Sequence, residues 1–173
     1  MKRKTFFISI GLYALLLIVI FTFQGMVLSH LRIDGLTPLL LPLASTAVAV
    51  YEGRTAGGVA GLFAGILCDI SFGEPVAVFT VLLTFSGIAI GNMVDTVVTR
   101  GFVTYFLFGA GVLALSAMIQ IVPLIYGGIP PHILMPTVLW QTIYSLIFAF
   151  PIWLLVSAIG RRVYKESMRG KPQ

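Results

Sequence analysis

Acidic residues are rare in this sequence. Six Asp and Glu stand among 173 positions, and the four charged residue types together make up only 10% of the chain. Soluble domains carry about 25% charged residues, so too little polar surface is present to clothe a water-soluble core. A mean hydropathy of +1.04 and a hydrophobic content of 58% place the chain among integral membrane proteins. Cysteine is almost absent. Cys68 stands alone, which excludes an internal disulfide, and its apolar flanks make it a small packing residue. Histidine is nearly as scarce: His30 and His132, without a neighbouring cysteine, make a poor metal site, so no metal or cofactor is expected. Basic residues give a net charge of +5, but they sit at the chain ends and in short loops. No groove-sized basic surface results, and nucleic acid is set aside as a partner. Long loops are missing too. None exceeds about a dozen residues, which leaves no room for a soluble catalytic or binding domain.

What the chain has in abundance is apolar runs. Six can be marked out, roughly 5–29, 36–51, 55–73, 75–94, 102–126 and 137–160, most of them near the ~20 residues a bilayer-spanning helix requires. The runs are continuous rather than alternating, which excludes a β-barrel reading. The first exceeds the ~7–15 residues of a signal h-region and lacks a small-x-small cleavage site, so it is expected to be retained. The breaks carry turn residues: Arg32-Ile33-Asp34-Gly35, Glu52-Gly53-Arg54, Gly73-Glu74-Pro75 and Gly127-Gly128-Ile129-Pro130-Pro131. With the N-terminus inside, Lys2, Arg3, Lys4, Arg54, Arg100, Arg161, Arg162, Lys165, Arg169 and Lys171 fall on the cytoplasmic side and only Arg32 falls outside. This bias predicts an all-α, polytopic bundle of six transmembrane helices over residues 1–173, a single domain with both termini cytoplasmic.

One stretch differs from its surroundings. In GRTAGGVAGLFAGILCDISFG, residues 53–73, Gly53, Gly57, Gly61, Gly65, Asp69 and Gly73 recur every fourth position, beside a second ridge of Ala56, Ala60, Ala64 and Cys68. A four-residue step turns an α-helix by about 400°, so the ridge winds around the third helix. Lipid supplies no hydrophobic drive between helices, and small residues that allow close backbone approach become the main source of attraction. The fourth run offers a matching Gly87-x-x-x-Gly91. The expected use of Gly57, Gly61, Gly65, Asp69, Gly73, Gly87 and Gly91 is helix packing, with a docked partner protein as the alternative. Asp69 lies roughly 24 Å along its helix from Gly53, about one turn from the outer end. An ionisable side chain in a span is a functional candidate. Two uses stay open for it: capping the backbone at the Gly73–Pro75 turn, or serving a ligand pocket or partner contact.

Other polar residues in the runs are weaker candidates. Thr84-Phe85-Ser86-Gly87 lacks the glycine that opens the GxSG motif of intramembrane serine proteases, and His132 falls in a loop, so that chemistry is set aside. Gln24, Gln120 and Gln141 suit interhelical hydrogen bonds. Pro151 is expected to kink the last helix. The basic, aromatic tail Arg161-Arg162-Val163-Tyr164-Lys165 suits anionic lipid headgroups. No enzymatic activity is expected.

Gln24 through Gly35, followed by Pro38-Leu39-Leu40-Leu41, resembles the first loop and second span of the rod shape-determining protein MreD family. The ladder GGVAGLFAGILCDISFG resembles its third span, with small residues leading to an aspartate and a following glycine. The six-span layout fits as well. Leu39 stands where that family usually places an aspartate, and Ala77 occupies a region where glycine is common. The resemblance implies a non-enzymatic subunit of the bacterial cell-elongation machinery in the cytoplasmic membrane, scaffolding peptidoglycan synthesis. Its partners would be an MreC-like protein and, indirectly, the MreB filament and the RodA–penicillin-binding-protein synthase. The family is also distantly similar in fold to the substrate-binding subunits of energy-coupling-factor vitamin transporters. That similarity implies an alternative, a six-helix binder with an outward pocket drawn from Asp69, Glu74, His132 and Trp140. Those subunits carry an Ala-x-x-x-Ala-like docking face on their first helix, and GLYALLLIVIFT, residues 11–22, has no such repeat.

Overall fold

Helices account for nearly all of the chain. The computed structural model describes residues 3–28, 38–72, 77–127 and 131–169. Among them lie α1 (Arg3–Phe23), which runs into a π-helical turn at Gln24–Leu28, then α2 (Leu40–Glu52), α3 (Arg54–Phe72), α4 (Val78–Thr96), α5 (Phe102–Tyr126), α6 (Pro131–Ile147) and α7 (Ala149–Arg169). No strand occurs among the described residues.

The centre of the bundle is α2. Every residue from Leu40 to Val50 is buried, because α1, α3, α4, α5 and α7 all pack around it. At 1.5 Å per residue a helix of this length covers roughly 20 Å, short of the ~30 Å hydrocarbon core. Its neighbours are longer. The helices α1, α4 and α5 contain stretches long and apolar enough to cross a membrane: Ile8–Met26, Val78–Thr96 and Phe102–Val122. A fourth such stretch is the pair Val138–Ile147 and Ala149–Arg162, if the two count as one span despite a 45° bend. The outer faces carry Leu15, Val19, Phe85, Val103, Leu107 and Leu139, all at least half exposed, a surface suited to lipid rather than water.

The expected sixth run, 137–160, is therefore not one straight helix. It divides at Phe148, three residues before Pro151. Proline has no N–H to donate to the carbonyl of Ile147, and its ring crowds that carbonyl. The chain closes a tighter bond from the Phe148 N–H to the Ser145 carbonyl (3.1 Å) and restarts with Ile152 N–H to the Phe148 carbonyl (3.2 Å).

A membrane interior offers no water to helix ends, so buried N–H groups need partners within the protein. Leu39, at the N-cap of α2, supplies no side-chain cap. Two distant side chains do the work: the Leu40 N–H donates to Gln24 Oε1 (3.0 Å) and the Leu39 N–H to Ser145 Oγ (2.9 Å). At the other end of α2, Gly53 adopts φ +94°, a left-handed conformation that permits an immediate turn into α3.

Candidate functional site

The most extensive helix–helix contact in the bundle joins α3 to α4, and the glycine ladder lies in it. A side chain added at Gly57 would meet the Gly87 carbonyl oxygen at 2.7 Å and Ala49 Cβ at 2.6 Å. At Gly61 it would strike the backbone of Leu83, and at Gly65 that of Phe79 and Thr80. Gly87 in turn abuts the Gly57 backbone, and Gly91 sits against Arg54, where a Cβ would lie 2.5 Å from the Arg54 Cα. The two helices run antiparallel in this register, backbone against backbone, from one end of the pair to the other. The second ridge, Ala56, Ala60, Ala64 and Cys68, is buried on the rest of α3. Ala56 and Ala60 face Ile10, Tyr13, Ala14 and Leu17 of α1 across a narrow groove.

Asp69 stands where this contact ends. Its Oδ1 accepts the Phe79 N–H (3.0 Å), and its Oδ2 accepts both the Thr80 N–H (2.9 Å) and the Thr80 hydroxyl (2.5 Å). Phe79 and Thr80 are the second and third residues of α4, whose N–H groups have no partner inside the helix. The N-cap position itself is Ala77, which offers no side-chain bond. The carboxylate of a neighbouring helix thus takes the place of an N-cap side chain, at the positive end of the α4 dipole. The bonds fall on the first turn of α4; residues 73–75, where the sequence placed the cap, lie outside the described residues.

The opposite end of the pair repeats the device with roles reversed. Asp95, near the C-terminus of α4, accepts the Arg54 N–H at the start of α3 through Oδ2 (3.0 Å). Its Oδ1 receives Arg100 Nη2 at 2.7 Å, in an ion pair open to solvent. Arg100 Nη1 also reaches the Tyr51 carbonyl (3.2 Å), a free acceptor near the C-terminus of α2. Gly53 is required here twice over: a Cβ would lie 2.5 Å from the Asp95 carboxylate. The sequence carries the signal for this arrangement. Gly61-x-x-x-Gly65-x-x-x-Asp69 recurs as Gly87-x-x-x-Gly91-x-x-x-Asp95, and Asp95 holds the place in the second repeat that Asp69 holds in the first.

No family model matches the chain, and neither does any curated protein or solved structure.

The remaining sequence candidates are scattered. Gly73 and Glu74 lie outside the described residues, as do His30 and the side chain of His132. Trp140 is 68% exposed on α6, a helix that packs on α5 and α7, whereas α3 packs on α1, α2 and α4. Asp69 and Trp140 are thus carried by helices that are not principal neighbours. Gln141 donates to Gln120 Oε1 at 3.3 Å across α5 and α6. The Ser86 hydroxyl bonds to the Leu82 carbonyl of its own helix (2.6 Å). Near the Arg100 end, Tyr105 is fully buried and stacks on Trp153 (5.2 Å), Trp153 meets Tyr51 edge-on (6.1 Å), and Gly160 leaves room for the Tyr51 ring. Glu52, beside that ring, accepts the Tyr13 hydroxyl (2.7 Å).

Chemically, this site is a fastener. Both Asp69 oxygens are engaged by α4, and the glycines bring main chains together rather than opening a cleft.

Proposed function

We propose that this chain is a non-enzymatic, multi-pass subunit of the bacterial cytoplasmic membrane, similar to MreD, that scaffolds the cell-elongation machinery. The observation that carries the reading is the use of Asp69. A carboxylate within an apolar helix invites a ligand, yet three donors of α4 account for it. What the ladder and its aspartate yield is a rigid helical hairpin, the property a scaffold needs, and the resemblance of that same stretch to the third span of MreD supplies the machinery.

In this reading α1, α2, α3, α4, α5 and the bent α6–α7 pair are six crossings with both termini in the cytoplasm. Side-chain contacts support one basic end: Asp95 joins Arg54 to Arg100, Arg100 reaches Tyr51, and Gly160, next to Arg161 and Arg162, lies against the Tyr51 ring. The positive-inside bias then assigns that end to the cytoplasm. The deeply buried α2, too short to cross alone, is accommodated by its longer neighbours.

Purification from native membranes followed by mass spectrometry tests the reading. Recovery of an MreC-like protein with RodA and a penicillin-binding protein is expected. Recovery of an ATPase module together with a vitamin would overturn it in favour of a transporter subunit.

A further inference from the structure

The α5–α6 interface contains polar groups whose partners are not supplied by the described residues. Ser116, on the inward face of α5, is fully buried, and its hydroxyl bonds to none of them. One turn further on, Gln120 offers Oε1 to Gln141, while its buried Nε2 has no partner among the described residues. Other helical hydroxyls in this protein close onto the carbonyl one turn back, as Thr22, Thr84, Ser86, Thr142 and Ser145 do. Ser116 does not take that bond with Val112.

The register of the two helices says what lies nearby. Gln120 stands beside Gln141, so Ser116, one turn back on α5, is level with Ser145, one turn on along antiparallel α6. Ser145 Oγ receives the Leu39 N–H at the N-terminus of α2, and Gln24 receives that of Leu40. The unmet groups therefore belong to a polar layer at the buried start of the central helix. Its α2 donors are already met by Ser145 and Gln24, which leaves the Ser116 O–H and the Gln120 amide. Neither of these two groups meets an acceptor among the described residues. Its side chains, Gln24, Ser116, Gln120, Gln141 and Ser145, are all neutral, so an anion there would be buried without a counter-charge. A single water supplies an acceptor oxygen at no such cost. Side chains one turn apart share a helix face, their Cβ atoms about 5–6 Å from each other, and buried waters typically make about three bonds to groups otherwise unmet.

We propose that an ordered water binds between α5 and α6, accepting from Gln120 Nε2 and bonded to Ser116 Oγ, and completes the polar layer that holds α2. A structure of the protein in lipid nanodiscs, at a resolution that shows waters, should reveal one compact peak within hydrogen-bond distance of both atoms. A Ser116 hydroxyl closed onto the Val112 carbonyl with no peak would overturn the proposal, and so would extended density for a lipid or solute. Thermal unfolding of Ser116→Ala, Gln120→Met and the double variant gives a second readout. Each single change should lower Tm by about 2–4 °C, and the double variant should lose little more than the worse single, because both act through one water. Additive losses would overturn the bridge.

Discussion

Removing the carboxylate at position 69 would leave the Phe79 and Thr80 amides of α4 without acceptors at a part-buried site. Asp69→Ala is therefore expected to destabilise the protein by about 1–3 kcal/mol, the cost of unmet donors. Asp69→Asn keeps one acceptor oxygen and should lose less. Thr80→Val, which forfeits only the hydroxyl bond to Asp69, should cost about 1 kcal/mol. Thermal unfolding in detergent orders the three, and a Thr80→Val loss larger than that of Asp69→Ala would contradict the capping role. At this scale the sequence was half legible. Asp69 stood out because an acid interrupts an apolar run, but its partners did not. They lie ten and eleven residues on, and Ala77 at the N-cap gives no hint that a cap is needed from elsewhere. Asp95 was legible only as a repeat of the Gly-x-x-x-Gly-x-x-x-Asp spacing, since a charge at the end of a span reads as ordinary surface.

Among the elements, the α3–α4 pair is held by shape. A side chain at Gly61 would run into the Leu83 main chain, which cannot swing aside as a rotamer can. Gly61→Leu is expected to cost about 1–3 kcal/mol or to prevent accumulation of the protein. Gly111 gives the contrast: a Cβ there meets nothing within 4 Å, so Gly111→Ala should be neutral or slightly stabilising through helix propensity. Protein level in membranes and Tm together separate the two, and equal tolerance would show that the ladder does not bear the packing. Helix existence was readable from the apolar runs, and Glu52-Gly53-Arg54 marked the break between α2 and α3. The halving of the last run was less so. Pro151 announced a kink, but the break falls earlier, at Phe148, because proline disturbs the carbonyl four residues before it. The burial of α2 on every side was also not readable, since a short apolar helix looks the same whether it meets lipid or protein.

For the whole molecule, the caps, the glycine contact and the basic end describe a bundle fastened at both ends of α3–α4 around a buried α2. Orientation can be tested directly, because the sole cysteine, Cys68, is buried. In a Cys68→Ala background, cysteines placed at Lys4 and at Arg169 should both resist a membrane-impermeant maleimide in intact cells and react after permeabilisation. Labelling of either from outside would refute the cytoplasmic termini. The helices α3 and α4 cap one another through Asp69 and Asp95, and backbone amide exchange reads this at the capped groups themselves. In Asp69→Ala, the Phe79 and Thr80 amides should exchange much faster than in the parent, while those in the middle of α2 keep their protection. Unchanged exchange at Phe79 and Thr80 would contradict it.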